Sequence, residues 1–282
     1  MIPLWYPKRE MESNQVHIQA KAKVNLSLSI EPPLGNGMHP IVSKMARIAF
    51  FDDLEITQLN SNALSRYAIR WHESAPVQSE IDWSVTSDLA VRAHRLLETK
   101  VGHALPIQLN LEKRIPVGGG LGGGSADAAA MLQAVIELFT LDVDASEIAP
   151  ELGSDVSYLL RGGACIVRGT GERIEPIQLD TLHICLVIPP YQCSTTKVYN
   201  EFDAMDNHED GACNDLLAPA CIVEPRIAKD MNMLLALTDQ EIHLSGSGST
   251  MFGICDNVEH ARELAKKIEE KTDLVAIATH TC

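Results

Sequence analysis

Residues 16 to 30, VHIQAKAKVNLSLSI, alternate apolar and polar positions almost without a break. Val16, Ile18, Ala20, Ala22, Val24, Leu26, Leu28 and Ile30 fall on one face, and His17, Gln19, Lys21, Lys23, Asn25, Ser27 and Ser29 on the other. Successive strand side chains point to opposite faces, so this period of two predicts a long half-buried strand, straight or bent into two. DLEITQL and RYAIRWH read as further short strands. In TSDLAVRAHRLLETK (86–100), Leu89, Ala93, Leu96 and Leu97 recur at helical spacing behind a Thr/Ser cap. PIQLNLEKRI (106–115) alternates again, with Ile107, Leu109 and Leu111 on one face.

A helix rich in Ala and Leu is predicted from Ser125 to Phe139, part of SEIAPEL is helical, and another helix follows Ser154. ACIVRGTGERIEPI (164–177) predicts a hairpin turning at Gly169–Gly171. Beyond ICLVIPP the stretch 200–225 is polar and reads as a loop, its 203–214 part as a mobile one. RIAKDMNMLLAL is helical, EIHLSGSGSTMFGIC is strand, glycine loop and strand, VEHARELAKKIEEK is an amphipathic helix, and LVAIATH is a last strand. Antiparallel strands grouped with helices that do not strictly alternate give an α+β fold. The expected division is 1–190, a mixed or antiparallel sheet with helices, and a smaller α+β domain over 191–282.

Composition narrows the function classes. A chain of 282 residues, 45% hydrophobic and 22% charged, is long enough for a real core. The net charge of −15, from 23 basic and 38 acidic residues, argues against a general nucleic-acid binder. It leaves room for an anionic small molecule, because a local pocket can oppose the global sign. Seven cysteines lie between Cys165 and Cys282 with no C-x-x-C pair, which reads as reduced thiols. The first residues lack the apolar core of a signal peptide, and no apolar run approaches about 18 residues. A cytoplasmic protein with no membrane partner is expected.

The densest signal is PVGGGLGGGSADAAAML (116–132), with six glycines between Gly118 and Gly124 followed at once by helix formers. A flexible linker would be followed by polar, unstructured residues. Glycines instead let consecutive N–H groups point inward, and a helix N-terminus adds unpaired donors and partial positive charge, so phosphate is the expected ligand. Asp127 reads as a favourable partner of the helix dipole. The Walker pattern needs Gly-Lys-Ser/Thr, and Gly124-Ser125-Ala126 offers no lysine. Gly118, Gly120 and Gly123 do spell G-x-G-x-x-G, but the strand before them alternates and ends in proline, unlike a dinucleotide fold. The protein-kinase motifs are absent.

The order P-x-G-G-G-L-G-G-G-S-A-D-A-A resembles the central motif of the GHMP kinases, small-molecule kinases that include galactokinase, homoserine kinase and mevalonate kinase. KAKVNLSL resembles their first motif, and HLSGSGSTMFG (243–253) their third, a second glycine loop over the phosphate region. Finer patterns are similar to the branch whose acceptor is 4-diphosphocytidyl-2-C-methyl-D-erythritol, an isoprenoid precursor of the non-mevalonate route. Ala22-Lys23-Val24-Asn25-Leu26 meets A-K-x-N-L, Gly37-Met38-His39 meets G-x-H, and Leu152-Gly153-Ser154-Asp155-Val156 meets L-G-x-D-V. The likeness runs from about 16 to 256 and implies a two-lobed kinase that uses ATP and Mg²⁺.

Roles follow from the resemblance, each beside a plainer one. Lys23 becomes a charge partner for the reacting hydroxyl and phosphoryl oxygens and Asn25 an orienter, where the alternation alone favours a solvated strand face. Asp155 becomes the general base, where its place after a glycine at a helix start favours an N-cap. Lys113, Pro116, Gly118, Gly119, Gly120, Leu121, Gly122, Gly123, Gly124, Ser125 and Ala126 are expected at the nucleotide; for Lys113 a solvated lysine is the competing reading. Ser125 either reaches a phosphate oxygen or Mg²⁺ or caps its helix, and no acidic cluster identifies other metal ligands. His39 is expected to read the edge of a cytidine base, with Tyr199 against one face and Met38 where a tyrosine is expected. Thr195, Gly246, Ser247 and Gly248 complete the acceptor side. DVSYLL after Gly153-Ser154 departs from the Pro-Phe-Phe type sequence of that branch. The alternatives are a kinase of homoserine, sugar or mevalonate type and a nucleotide-binding protein without turnover; a dehydrogenase is disfavoured by the strand before the loop. The oligomeric state is not legible.

Overall fold

Two sheets carry the chain. The computed structural model describes residues 14–35, 37–205 and 213–282. In chain order the strands are β1 (Gln15–Ile30), β2 (Ile41–Gln58), β3 (Arg66–Trp71), β4 (Ile107–Lys113), β5 (Ala164–Gly169), β6 (Arg173–Pro176), β7 (His183–Ile188), β8 (Ile242–Leu244), β9 (Met251–Cys255) and β10 (Val275–His280). The helices are α1 (Leu89–Val101), α2 (Gly123–Leu138), α3 (Ala145–Ile148), α4 (Ser154–Arg161), α5 (Thr195–Ala204), α6 (Leu217–Val223), α7 (Arg226–Leu235) and α8 (Val258–Lys271). The first sheet runs β3-β4-β2-β5-β6, with β1 also paired to β2; the second runs β10-β7-β9-β8. All pairings are antiparallel except β3 with β4. The α+β expectation holds.

The alternation of residues 16–30 becomes the single strand β1, with irregularities between Lys21 and Lys23 and between Asn25 and Ser27. Such bulges bend a strand and re-aim its side chains. Here they bracket the segment in which the polar face turns inward: Lys23 and Asn25 are both buried, while His17 and Ser29 remain exposed. The solvated-face reading of Lys23 and Asn25 is thereby overturned.

Helix α2 lies against β1, β2, α1 and α4, and its run Ala126 to Leu132 is buried throughout. Alanine suits this position because backbones on several sides approach closely; larger groups would overpack it, at about 1–3 kcal/mol each. Its core merges with Leu54, Ile56, Leu109 and Leu111 of the first sheet. A second core gathers α5, α6, α7 and α8 on the second sheet. A third joins the sheets, Ala22, Val24, Ile48 and Leu121 meeting Ile184, Leu186, Ile188 and Phe252.

Several sequence expectations shift locally. Helix α1 starts at Leu89, with Asp88 rather than Thr86 or Ser87 as its cap: Asp88 Oδ1 accepts from Ala90 N at 2.9 Å. Helix α2 starts at Gly123, two residues before Ser125, because Gly122 takes a left-handed conformation (φ 70°) that admits the chain into the helix. The polar stretch 200–225 contains the end of α5 and the whole of α6; residues 206–212 of the expected mobile segment lie outside the described residues. The hairpin at 164–177 forms as expected, Arg168 pairing with Arg173.

Candidate active site

A cavity of about 670 Å³ opens between the two sheets, lined by residues from β1, the 116–125 loop, the start of α4, α5 and the loop after β8. The glycine loop forms one wall. The first bond within α2 is Ala126 N to Gly122 O, at 2.8 Å, so the N–H groups of Gly123, Gly124 and Ser125 have no acceptor inside the helix. Three unpaired donors at the positive end of a 16-residue helix form an anion site. The loop is fastened below, where Lys23 N donates to Leu121 O at 3.0 Å.

The second glycine loop locks onto the first. Ser245 Oγ donates to Gly120 O at 3.0 Å and Thr250 N donates to Gly119 O at 3.1 Å. Gly120 has φ +77°, and a Cβ there would lie 2.1 Å from Ser245 O, so only glycine permits the approach. Asn214, buried ahead of α6, donates through Nδ2 to Leu244 O at 2.9 Å and to Gly246 O at 2.8 Å. Thr195 and Ser247 hydroxyls meet at 2.8 Å across the acceptor side. Gly248 lies in this loop but does not line the cavity, and Ala126 is buried behind the first one.

Lys23 Nζ donates to Asn25 Oδ1 at 2.6 Å and lies 3.7 Å from Asp155 Oδ2. Asp155 is the second residue of α4, whose N-cap is Gly153, so it sits in the first turn rather than capping it. The helix terminus favours its negative charge. Tyr199 faces the same cavity; burial first, then the Asp155 carboxylate, push its phenol up to about 12, which keeps it a neutral donor.

Lys113 does not offer a free ammonium to a nucleotide. It donates to Asp127 Oδ2 at 2.5 Å and to Asp52 Oδ2 at 2.6 Å, with all three side chains buried beneath the loop. Burial alone would lower the lysine; the carboxylates of Asp127 and Asp52 outweigh it and hold the ammonium above its ordinary range. Burial pushes the Asp127 carboxyl up, against the pull of Lys113 and with help from Asp52. Asp52 also accepts from the backbone N–H groups of Arg114 and Ile115, the second at 2.7 Å. Asp127 therefore anchors the strand before the loop to the helix after it, and is not an exposed partner of the dipole.

Met38 and His39 do not line the cavity. The His39 ring packs against Tyr199 and Phe202, Nδ1 lies 3.1 Å from Glu31 O, and Nε2 lies 2.8 Å from Asp203 Oδ1. Nδ1 is thus paired to the backbone, while Nε2, buried close to the Asp203 carboxylate, makes no hydrogen bond. Met38 is half exposed.

Sequence reasoning missed Trp83, Asp88 and Leu89, the last next to Gly124, and the apolar Leu28, Ile41, Met45 and Leu216, all of which line the cavity. A lone tryptophan in the polar segment before α1 was the only signal for the first group. Asp52 left a clearer one, a charge in the same strand parity as Phe50, Leu54 and Ile56.

The GHMP kinases N terminal domain model matches residues 88–165, which span the glycine loop and Asp155. Over 93% of its length the chain is 32% identical to the 4-diphosphocytidyl-2-C-methyl-D-erythritol kinase of Pelotomaculum thermopropionicum, 96% of which is covered. Identity reaches 34% with the protein of that name from Caulobacter sp. (strain K31), over 89% of this chain and 92% of that one. A crystal structure of 4-(cytidine 5'-diphospho)-2C-methyl-D-erythritol kinase superposes with a TM-score of 0.77 at 29% identity, covering 94% of this chain and 99% of that one. L. major mevalonate kinase, in a crystal structure with R-mevalonate, shares the fold at a TM-score of 0.68 and 13% identity, over 94% of this chain and 96% of that one. With the glycine loops, Lys23 and Asp155 gathered on one cavity, the chain belongs to the GHMP kinases, in the family of 4-diphosphocytidyl-2-C-methyl-D-erythritol kinases.

Proposed function

We propose that the chain transfers the γ-phosphoryl group of ATP to a hydroxyl of 4-diphosphocytidyl-2-C-methyl-D-erythritol. The observation that carries this reading is the meeting of Lys23, Asn25 and Asp155 beside three unpaired helix N–H groups. The N–H groups of Gly123, Gly124 and Ser125 receive nucleotide phosphate. Trp83 and Leu89, the latter next to Gly124, form an apolar wall suited to a planar base.

Asp155 accepts the proton of the acceptor hydroxyl as its oxygen bonds to the γ-phosphorus. The bond from that phosphorus to the ADP oxygen breaks, and ADP leaves with the electron pair. Lys23 offsets charge on the reacting oxygens, and Asn25 holds the ammonium in place. Positioning and charge stabilisation dominate phosphoryl transfer, so few protein groups are needed. Among the described residues no group of three or more His, Cys, Asp or Glu is arranged to hold a metal. That suits Mg²⁺ arriving with nucleotide, which keeps phosphate and water ligands and needs only one or two protein oxygens. Ser125, on the cavity, would offer such an oxygen; when bound, the ion would neutralise phosphate charge.

Leu28, Ile41, Leu216 and Tyr199 receive the acceptor's base. His39, off the cavity, packs against Tyr199 and supports the helix that carries it.

The test is ADP release with Mg-ATP and the cytidine-diphosphate acceptor, beside homoserine, mevalonate and galactose, with Asp155→Asn as control. Turnover on the cytidine acceptor alone, abolished in the variant, supports the reading. Turnover on another alcohol overturns the acceptor and retains the phosphoryl chemistry.

A further inference from the structure

Asn25 has one amide acceptor and two amide donors, and its orientation decides what Lys23 meets. Three hydrogen bonds run in series through buried side chains. Lys23 Nζ donates to Asn25 Oδ1 at 2.6 Å, Asn25 Nδ2 donates to Ser43 Oγ at 2.8 Å, and Ser43 Oγ donates to Ser27 O at 2.7 Å. Ser43, on β2, is fully buried, and Asn25 is 3% exposed. The series ends at a backbone carbonyl, which can only accept. The single hydroxyl proton of Ser43 is therefore committed to Ser27 O, and towards Asn25 the hydroxyl can only accept. The amide must then present its NH₂ to Ser43 and its oxygen to Lys23. The hydrogen-bond network thereby fixes the orientation of this amide.

We propose that Ser43 is a positioning residue for phosphoryl transfer. By holding the Asn25 amide in one orientation, it keeps the Lys23 ammonium between Asn25 Oδ1 and the Asp155 carboxylate, 3.7 Å away. This rests on Lys23 and Asp155 being the working pair. The ammonium selects the amide oxygen by itself, but only the Ser43 acceptor anchors the NH₂ end. Without that anchor the amide can swing about its side-chain torsions, carrying Oδ1 and the ammonium bound to it out of line. The bulge of β1 between Asn25 and Ser27 is what gives the Ser43 hydroxyl both partners, since Ser43 itself pairs with Leu28.

The experiment is steady-state kinetics with Mg-ATP and the cytidine-diphosphate acceptor on Ser43→Ala, Ser43→Thr, Asn25→Ala, the Ser43→Ala/Asn25→Ala double variant and Lys23→Met. Ser43→Ala should lower kcat about 10- to 100-fold, with KM for ATP within about threefold, because a misplaced reactive group slows the chemical step. Ser43→Thr keeps the hydroxyl and should stay within about fivefold of the unmodified protein. In the Asn25→Ala background, removing the hydroxyl should change kcat by less than about threefold, since two residues acting through one contact are not additive. A kcat for Ser43→Ala within about twofold of normal, with Lys23→Met inactive, overturns the proposal. So does an equal loss in both backgrounds, which marks a merely structural role. Full activity of Lys23→Met instead overturns the reading of the working pair, and the proposal with it. If Ser43→Ala does not fold, Ser43→Cys, of similar size and weak acceptor strength, takes its place against Ser43→Thr.

Discussion

Two buried lysines approach the glycine loop, and they are equally hidden: the Lys113 side chain is 4% exposed and that of Lys23 is 6%. Their partners differ. Lys113 has two carboxylates at 2.5 and 2.6 Å. Lys23 has one neutral amide oxygen at 2.6 Å and a carboxylate at 3.7 Å that is itself 30% exposed. The first ammonium is saturated by a closed set of charges and ties β2, β4 and α2 together. The second keeps unspent charge facing the cavity. Burial does not separate a structural lysine from a working one; the count and distance of its opposite charges does.

The comparison breaks if either lysine behaves as the other should. Lys23→Met is expected to lower kcat about a thousandfold or more, with unfolding free energy changed by less than about 2 kcal/mol. Stopped or steady-state ADP release, set beside a urea titration, measures both. Lys113→Met should do the reverse in emphasis. It strands two buried carboxylates, so a loss of about 3–5 kcal/mol in the urea titration is expected, with activity falling in step with the folded fraction. Lys113→Met that is stable but cannot bind ATP would return Lys113 to the nucleotide.

Gly120→Ala tests whether the loop between the lysines must stay pressed on its partner. A Cβ 2.1 Å from Ser245 O, on a left-handed backbone, has to push the two glycine loops apart. About tenfold or more in KM for ATP and about 1–3 kcal/mol of stability should be lost. Gly124→Ala is the sharpening control in the same loop. Its Cβ would meet only the Leu89 side chain, Cδ1 at 3.3 Å and Cβ at 4.0 Å, and it should cost well under about 1 kcal/mol.

The smallest expected effect is a pH dependence of the closed set. Burial raises the Asp127 carboxyl, so as pH falls the folded protein takes up this proton before the unfolded chain does, whose carboxyl titrates near pH 4. The stability this group contributes is present below that range and declines as pH rises towards its folded value. Asp127→Asn lacks the titration. The stability of the unmodified protein minus that of the variant should therefore fall as pH rises above about 4 in parallel urea titrations. A difference that rises instead would mean that the carboxylate, not the acid, is the form folding prefers.

His39 shows where a motif and its geometry part company. The resemblance assigned its ring to a base edge, yet the residue does not line the cavity: its ring packs on Tyr199 and Phe202, with Nε2 2.8 Å from Asp203 Oδ1. Tyr199, Thr195, Gly246 and Ser247 did reach the cavity, as the motif spacing implied. The difference lies in partners far along the chain: Asp203 is on α5, and nothing in G-x-H announces it.

The sequence by itself determined the strands and most helices, because periods of two and 3.6 are local consequences of backbone geometry. It determined the phosphate loop, because glycines followed by an alanine helix leave few other uses. It even carried the burial of Lys113, which shares strand parity with Ile107, Leu109 and Leu111, and of Asp52, in parity with Leu54 and Ile56. Only the tertiary structure decided the fate of Lys23 and Asn25. Their parity is polar and pointed to solvent, and two glycine loops from distant parts of the chain fold over that face: a Cβ added at Gly122 or Gly246 would fall within 3.4 Å of the Lys23 or Asn25 side chain. Parity tells which side of a strand a residue takes. What covers that side is set by contacts across hundreds of residues, and there the chemistry was made.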